Sequence, residues 1–515
     1  VASVRIHSAT VGGLDALPVE VEVDTTPGLH FFNIVGLPDK TVEESRDRIT
    51  SALRNSGFIS PKQKNNRIIV NLAPADIRKE GSGFDLPIAL GYLLATKQLK
   101  KSVNSSLCIG ELSLDGTLRR INGILPIALL AKRRGFKELI VPMENTSEAS
   151  VVADISVVGA SSLKDVVSHL DGTAILSPAK PIDYSELLSE QESKELLIDM
   201  SDIKGQEQAK RALLIAACGG HNVLMHGPPG SGKTLLARAV AGIMPPMTHD
   251  EAIEVTKIYS VSGLLGDATL MVQRPFRNPH HTTSAIAIVG GGSWPRPGEI
   301  SLAHRGVLFL DEFPEFPRSV IEALRQPMES GEIVVSRVNN STSFPARFML
   351  IAAMNPCPCG NYGDEAKECI CSPASVAKYQ KRLSGPILDR LDIQINVPHE
   401  TYEKLRDSSK SGKSSPEIRS TVLAVRNLQY TRFKGTRLIT NSEMGPKDIA
   451  KYCKLDASAE SLVKNVVSTH NLSGRGYHKI LKISRTIADL ENSQEIGQAH
   501  VAEAAAYRTK IENAS

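Results

Sequence analysis

Eight consecutive residues, Gly227, Pro228, Pro229, Gly230, Ser231, Gly232, Lys233 and Thr234, have the spacing of a loop that wraps phosphate, G-x-x-x-x-G-K-T. Glycines let successive amide N–H groups turn inward on an anion, and the helix start that follows adds its positive dipole end. Lys233 is expected to reach the β- and γ-phosphates of ATP, and Thr234 to offer a hydroxyl to Mg²⁺. Further on, the apolar run Val307-Leu308-Phe309-Leu310 ends in Asp311 and Glu312. Those acids suit two tasks: Asp311 holding Mg²⁺ through water, and Glu312 polarising the attacking water. A third apolar run, Phe348 to Ala353, leads to Asn355, a polar side chain placed to help orient that water.

Cys357, Cys359, Cys369 and Cys371 follow Asn355 as two C-x-C pairs separated by nine residues. Four thiolates can close a tetrahedral Zn²⁺ site, and a reducing compartment would keep them from pairing as disulfides. Free loop thiols and redox chemistry are the alternatives. Cys108, Cys218 and Cys453 are isolated and read as small core residues. His280 and His281 sit side by side without a second ligand pair nearby, which argues against a metal there. Arg274 and Arg277, in the same glycine-rich stretch, suit contact with a DNA phosphate backbone. Arg337 lies between alternating runs that flank Asn339-Asn340, a hairpin signal, and is the leading single candidate for DNA contact. A solvated arginine on an exposed hairpin is the other reading of that position.

The elements that must carry these residues are legible in outline. At 515 residues, 41% hydrophobic and 23% charged, the chain reads as soluble globular protein of about three domains. A net charge of +4 leaves nucleic-acid binding to local patches. No apolar run nears the ~18 residues that cross a bilayer. The chain opens on Val-Ala-Ser-Val without a basic-then-apolar leader, so a cytoplasmic location and no membrane partner are the expectation. Residues 1–170 read as an α/β domain with helices over 41–56, 84–96 and 125–135. Residues 171–200 read as a linker, 201–400 as a phosphate-loop α/β core with a parallel sheet, and 401–515 as a helical lid.

The set of motifs, completed by Ser384-Gly385-Pro386-Ile387-Leu388-Asp389-Arg390-Leu391-Asp392, resembles an AAA+ ATPase of the magnesium-chelatase group. Over nearly the whole chain the resemblance extends to the ComM/YifB family, whose members carry a Lon-protease-like N-terminal domain. This resemblance implies a hexameric ATP-driven DNA motor with helicase and branch-migration activity during natural transformation. It implies that Arg390 is an arginine finger reaching the neighbouring subunit's γ-phosphate, and that Arg475 is the lid-borne sensor arginine. It also implies that the Asn-Asn hairpin projects into a ring pore. Within the Lon-like region Leu125 holds the position of the catalytic lysine, and Gly83, beside Ser82, that of the serine. A serine without a neighbouring base is not an activated nucleophile, so this domain reads as proteolytically inactive. A motor that remodels a protein partner shares every nucleotide-site residue and is the principal rival; an ATP-dependent protease is the weaker one.

Overall fold

Val223–His226 is apolar through its first three residues because it lies inside a sheet covered on both faces. Met349–Met354 and Ile393–Asn396 flank it in parallel, and Val307–Leu310 and then Phe276–Arg277 extend the sheet beyond Met349–Met354. All five strands run the same way, so the phosphate loop, Asp311 and Asn355 leave neighbouring strands at one edge. That is where ligands bind in open α/β sheets. The computed structural model describes residues 3–101, 103–192, 198–292, 295–337, 340–363, 367–401, 406, 412–469 and 472–508. They divide into two compact units, Val1–Leu187 with His249–Met271, and Leu188–Thr248 with Val272–Ser515.

The first unit is built on a mixed seven-stranded sheet. Its order is Phe31–Val35, Asn66–Ala73, Asp15–Pro27, Val4–Gly12, Ser106–Cys108, Glu138–Pro142 and Ser156–Ala160. The three predicted helices are Lys40–Asn55, Asp85–Ala95 and Ile124–Arg134. Asp39 caps the first by accepting from the Val42 amide at 2.8 Å. Arg48 on that helix reaches the fully buried Asp85 with two nitrogens, at 2.8 and 3.0 Å. The third helix starts and stops at left-handed glycines, Gly123 and Gly135, and carries Lys132, Arg133 and Arg134 in its last turn.

One excursion departs from the sequence reading. Helix His249–Ser262, expected inside the ATPase core, belongs to the first unit. The reason is polar as well as apolar. The Ser260 hydroxyl donates to Glu148 at 2.5 Å, and Glu148 also accepts from the Leu125 amide at 2.9 Å, capping helix Ile124–Arg134. The Gly123 amide donates to the Ser260 carbonyl at 3.2 Å, and Lys257 pairs with Asp15 at 2.7 Å. Residues 171–200, read as a linker, include helix Tyr184–Glu192.

In the second unit a single apolar core joins the sheet to the C-terminal helices. These are Ser415–Arg432, Pro446–Tyr452, Ala457–Thr469, Gly474–Leu490 and Gln498–Ala506. Asp489 on Gly474–Leu490 ties that helix to Ser415–Arg432, accepting from Arg432 at 2.5 and 2.7 Å, and also accepts from Arg485 of its own helix at 3.0 Å. Among the described residues no helix is long and apolar enough to cross a membrane.

Candidate nucleotide site and cysteine centre

The loop after Val223–His226 turns through Gly230 (φ +78°) and Gly232 (φ +91°), a region L side chains rarely adopt. Gly227 is required for a different reason: a Cβ there would lie 2.1 Å from the Val397 carbonyl oxygen. Helix Lys233–Ile243 starts directly after the loop. The Lys233 ammonium is buried and donates to the carbonyls of Gly227 and Pro228 at 2.8 and 2.7 Å, with the Asn355 side-chain oxygen at 3.4 Å. Burial lowers its pKa from the ordinary lysine value, and the Asp311 carboxylate works the other way. The Thr234 hydroxyl donates to Asp311 at 2.8 Å. Four sequence-predicted residues from three strands therefore converge. A hydroxyl and a carboxylate side by side are hard oxygen donors of the kind Mg²⁺ takes, so this pair fits that ion.

Glu312 stands next to them in a left-handed conformation (φ +52°, ψ +44°), which costs a non-glycine residue roughly 1 kcal/mol or more and is frequent at functional sites. Its carboxylate lies 3.0 Å from His281 Nδ1. His281 in turn lies against His280, with ring centroids 4.1 Å apart. The sequence pattern suggests a metal site or a phosphate-contacting loop for the histidine pair, and does not reveal this partnership. No local pattern links residues 281 and 312, because only the pairing of Phe276–Arg277 with Val307–Leu310 brings them together.

Arg390 and Arg475 form a second group. Both reach the same oxygen of Glu329, at 2.6 and 2.7 Å. Arg390 also donates to the Pro386 carbonyl at 2.7 Å. Beside them Lys479, on the helix that carries Arg475, pairs with the buried Asp392 at 2.6 Å. Burial works to raise the Asp392 pKa, but Lys479 and His221 outweigh it and bring the value down to about 2.

The arginines read as DNA contacts fare differently. Arg274 donates to the carbonyls of Pro245 at 2.8 Å and Arg305 at 2.7 Å. Arg277 makes a two-pronged pair with Glu299, at 2.6 and 2.7 Å. Both guanidiniums thus have acceptors within the second unit. The hairpin exists as Glu332–Arg337 paired with Asn340–Pro345. The Arg337 side chain and the Val338-Asn339 turn lie outside the described residues.

The Sγ atoms of Cys357, Cys359, Cys369 and Cys371 lie within 4.8 Å of one another, three of the separations being 3.3, 3.6 and 3.6 Å. A tetrahedron with Zn–S bonds of about 2.3 Å has edges of about 3.8 Å, whereas a disulfide needs about 2.05 Å. The donor set and spacing fit Zn²⁺. The Cys359 thiol is drawn down to about 6, chiefly by the Asn361 backbone N–H. The knuckle also abuts the phosphate loop, since a Cβ on Gly360 would lie 2.5 Å from two ring carbons of Pro229. Cys108, Cys218 and Cys453 are buried in the core, as expected.

In the first unit the Ser82 hydroxyl donates to Glu111, and Leu125 is fully buried. Ser82 thus has a carboxylate beside it that the sequence pattern does not indicate, whereas Leu125 offers no basic group at the position expected of the lysine.

A parallel five-stranded sheet with a phosphate loop, an Asp-Glu strand end and a helical C-terminal region defines a P-loop ATPase of the AAA+ kind. The family described as "Magnesium chelatase, subunit ChlI" matches residues 199–405, "Subunit ChlI of Mg-chelatase" matches 21–145, and "Magnesium chelatase, subunit ChlI C-terminal" matches 412–508. Competence protein ComM of Haemophilus influenzae is 46% identical over 98% of this chain and 97% of its own length. YifB of Salmonella typhimurium is 41% identical over 98% of this chain and 96% of its own. The magnesium-chelatase 38 kDa subunit of Rhodobacter capsulatus is 32% identical over 30% of this chain and 49% of its own length. The chain belongs to the ComM/YifB family of magnesium-chelatase-like AAA+ proteins.

Proposed function

We propose that this chain is an ATP-driven DNA motor of the cytoplasm, working as a hexameric ring that moves branch points during recombination and transformation. In this reading Lys233 and the loop amides hold the β- and γ-phosphates. Thr234 and Asp311 hold Mg²⁺, which shields the phosphate charge when bound. Glu312 accepts a proton from the attacking water, Asn355 orients that water, and His281 sets the position of the Glu312 carboxylate. Arg390 and Arg475 of one subunit stabilise the γ-phosphate charge developing at its neighbour. The cysteine knuckle holds a structural Zn²⁺. The N-terminal unit is a Lon-like domain without proteolytic activity, kept for assembly or substrate contact.

The observation that carries the ATP-driven half of the reading is the convergence of Lys233, Thr234, Asp311 and Asn355 at one sheet edge. The likeness to a competence protein over nearly the full chain supports DNA as the substrate. So does a cleft of about 790 Å³ whose walls include Arg318, Lys378, Lys381 and Arg382. Of these, Arg382 is paired with Glu315 at 2.5 Å. The cleft lies directly beyond the Asp311-Glu312 strand end, where backbone phosphates would meet a surplus of positive charge.

Lys233→Ala is expected to lower ATP turnover at least about a hundredfold while leaving DNA binding in place. Branch migration at the wild-type rate in that variant would contradict the motor reading.

A further inference from the structure

Glu329 was not singled out by any motif, yet it receives both arginines assigned to the neighbour's nucleotide. Arg390 sits just before strand Ile393–Asn396, and Arg475 in the first turn of helix Gly474–Leu490. They come from the core and from the lid, and a single carboxylate oxygen joins them at 2.6 and 2.7 Å. Two guanidiniums held this close repel each other unless an anion lies between them. Glu329 is that anion within the chain. A phosphate group is the other kind of anion able to take two arginines at once.

The position of Glu329 matters as much as its charge. It lies near the end of helix Arg325–Ser330, which stops at the left-handed Gly331 and passes straight into the hairpin Glu332–Arg337 and Asn340–Pro345. The junction is tightly bonded. The Ala346 amide donates to the Gly331 carbonyl at 2.8 Å, and the Ser330 hydroxyl lies 3.0 Å from the Gln326 carbonyl and 3.1 Å from the Glu332 carbonyl. A shift of the helix end therefore moves the hairpin base with it.

We propose that Glu329 is a positioning residue that links the arginine pair to the substrate hairpin. It holds Arg390 and Arg475 together, and it yields them when the neighbour's γ-phosphate takes its place. The exchange releases the end of helix Arg325–Ser330 and so reports nucleotide state to the hairpin, and hairpin state back to the arginines. This inference rests on the DNA-motor reading above.

The test is ATP turnover by the full chain across ATP concentrations, with and without a synthetic three-stranded DNA junction. It compares wild type with Glu329→Gln, Glu329→Asp, Arg475→Ala and Arg390→Ala. Glu329 is about half exposed, and glutamine keeps its shape, so the melting temperature of Glu329→Gln should match wild type. The expected result is that Glu329→Gln brings the ratio of turnover with and without DNA to about one, while KM for ATP changes less than about twofold. Glu329→Asp should recover part of the ratio, whereas Arg475→Ala, which removes one of the two groups assigned to the γ-phosphate, should lose turnover itself as Arg390→Ala does. A wild-type ratio in Glu329→Gln, with Arg390→Ala inactive, would overturn the proposal and leave the nucleotide reading standing. Wild-type turnover in Arg390→Ala would instead overturn the arginine assignment, and absence of DNA stimulation in the wild type the DNA assignment; either takes the proposal with it.

Discussion

His221 shows how a single buried group sets the response of the second unit to acid. Its Nε2 lies 2.8 Å from the Thr486 hydroxyl, while Nδ1, without a hydrogen-bond partner, faces Asp392 at 3.9 Å. Burial brings its pKa from 6.5 down to about 4, outweighing the pull of Asp392. The unfolded chain therefore binds a proton near pH 6.5 that the folded chain refuses until about pH 4. Stability from this group is complete above pH 6.5 and is lost as pH falls toward 4, a difference on the order of 3 kcal/mol. Thermal melting should show a Tm that falls between pH 7 and pH 5, with a shallower fall in His221→Gln; equal slopes would contradict this. His281 makes a different residue-scale prediction. If it sets the Glu312 carboxylate, His281→Ala should change kcat several-fold and leave KM for ATP nearly unmoved. A change confined to KM would assign His281 to binding instead. Neither histidine's role was legible beforehand, since both depend on partners far along the chain.

At the scale of elements, the phosphate loop and the strands ending in Asp311 and Asn355 could be read because each is a contiguous pattern of apolar strand and polar end. Within the lid the apolar pattern predicts helices over 457–469 and 475–491, and the structure has them at Ala457–Thr469 and Gly474–Leu490. Helix His249–Ser262 could not be assigned to its unit from its own residues: Ser260 and Lys257 find Glu148 and Asp15 only in three dimensions. The acceptors of Arg274 and Arg277, backbone carbonyls and Glu299, were hidden for the same reason. The cysteine knuckle was visible as spacing, but its contact with Pro229 was not. Metal analysis should find about one zinc per chain. Gly360 and Gly363 both have left-handed φ values, +86° and +78°, yet only a Cβ on Gly360 meets the phosphate loop. Each glycine-to-alanine change should cost about 1 kcal/mol of backbone strain. Gly360→Ala alone should also raise KM for ATP, by several-fold. Equal effects at the two positions would mean that the knuckle does not brace the loop.

At the scale of the whole molecule, the residues around Lys233 and the pair Arg390–Arg475 are two halves of one proposed catalytic pocket, each carried by every subunit. Chemistry then requires assembly, and each half can be disabled separately. Lys233→Ala and Arg390→Ala should both be inactive alone. The decisive measurement is ATP turnover by a mixture of the two after co-assembly. Random mixing in a closed ring leaves about one interface in four with an intact Lys233 facing an intact Arg390, so turnover should return to roughly a quarter of wild type. A mixture that forms rings of both variants yet stays as inactive as its parts would contradict the account.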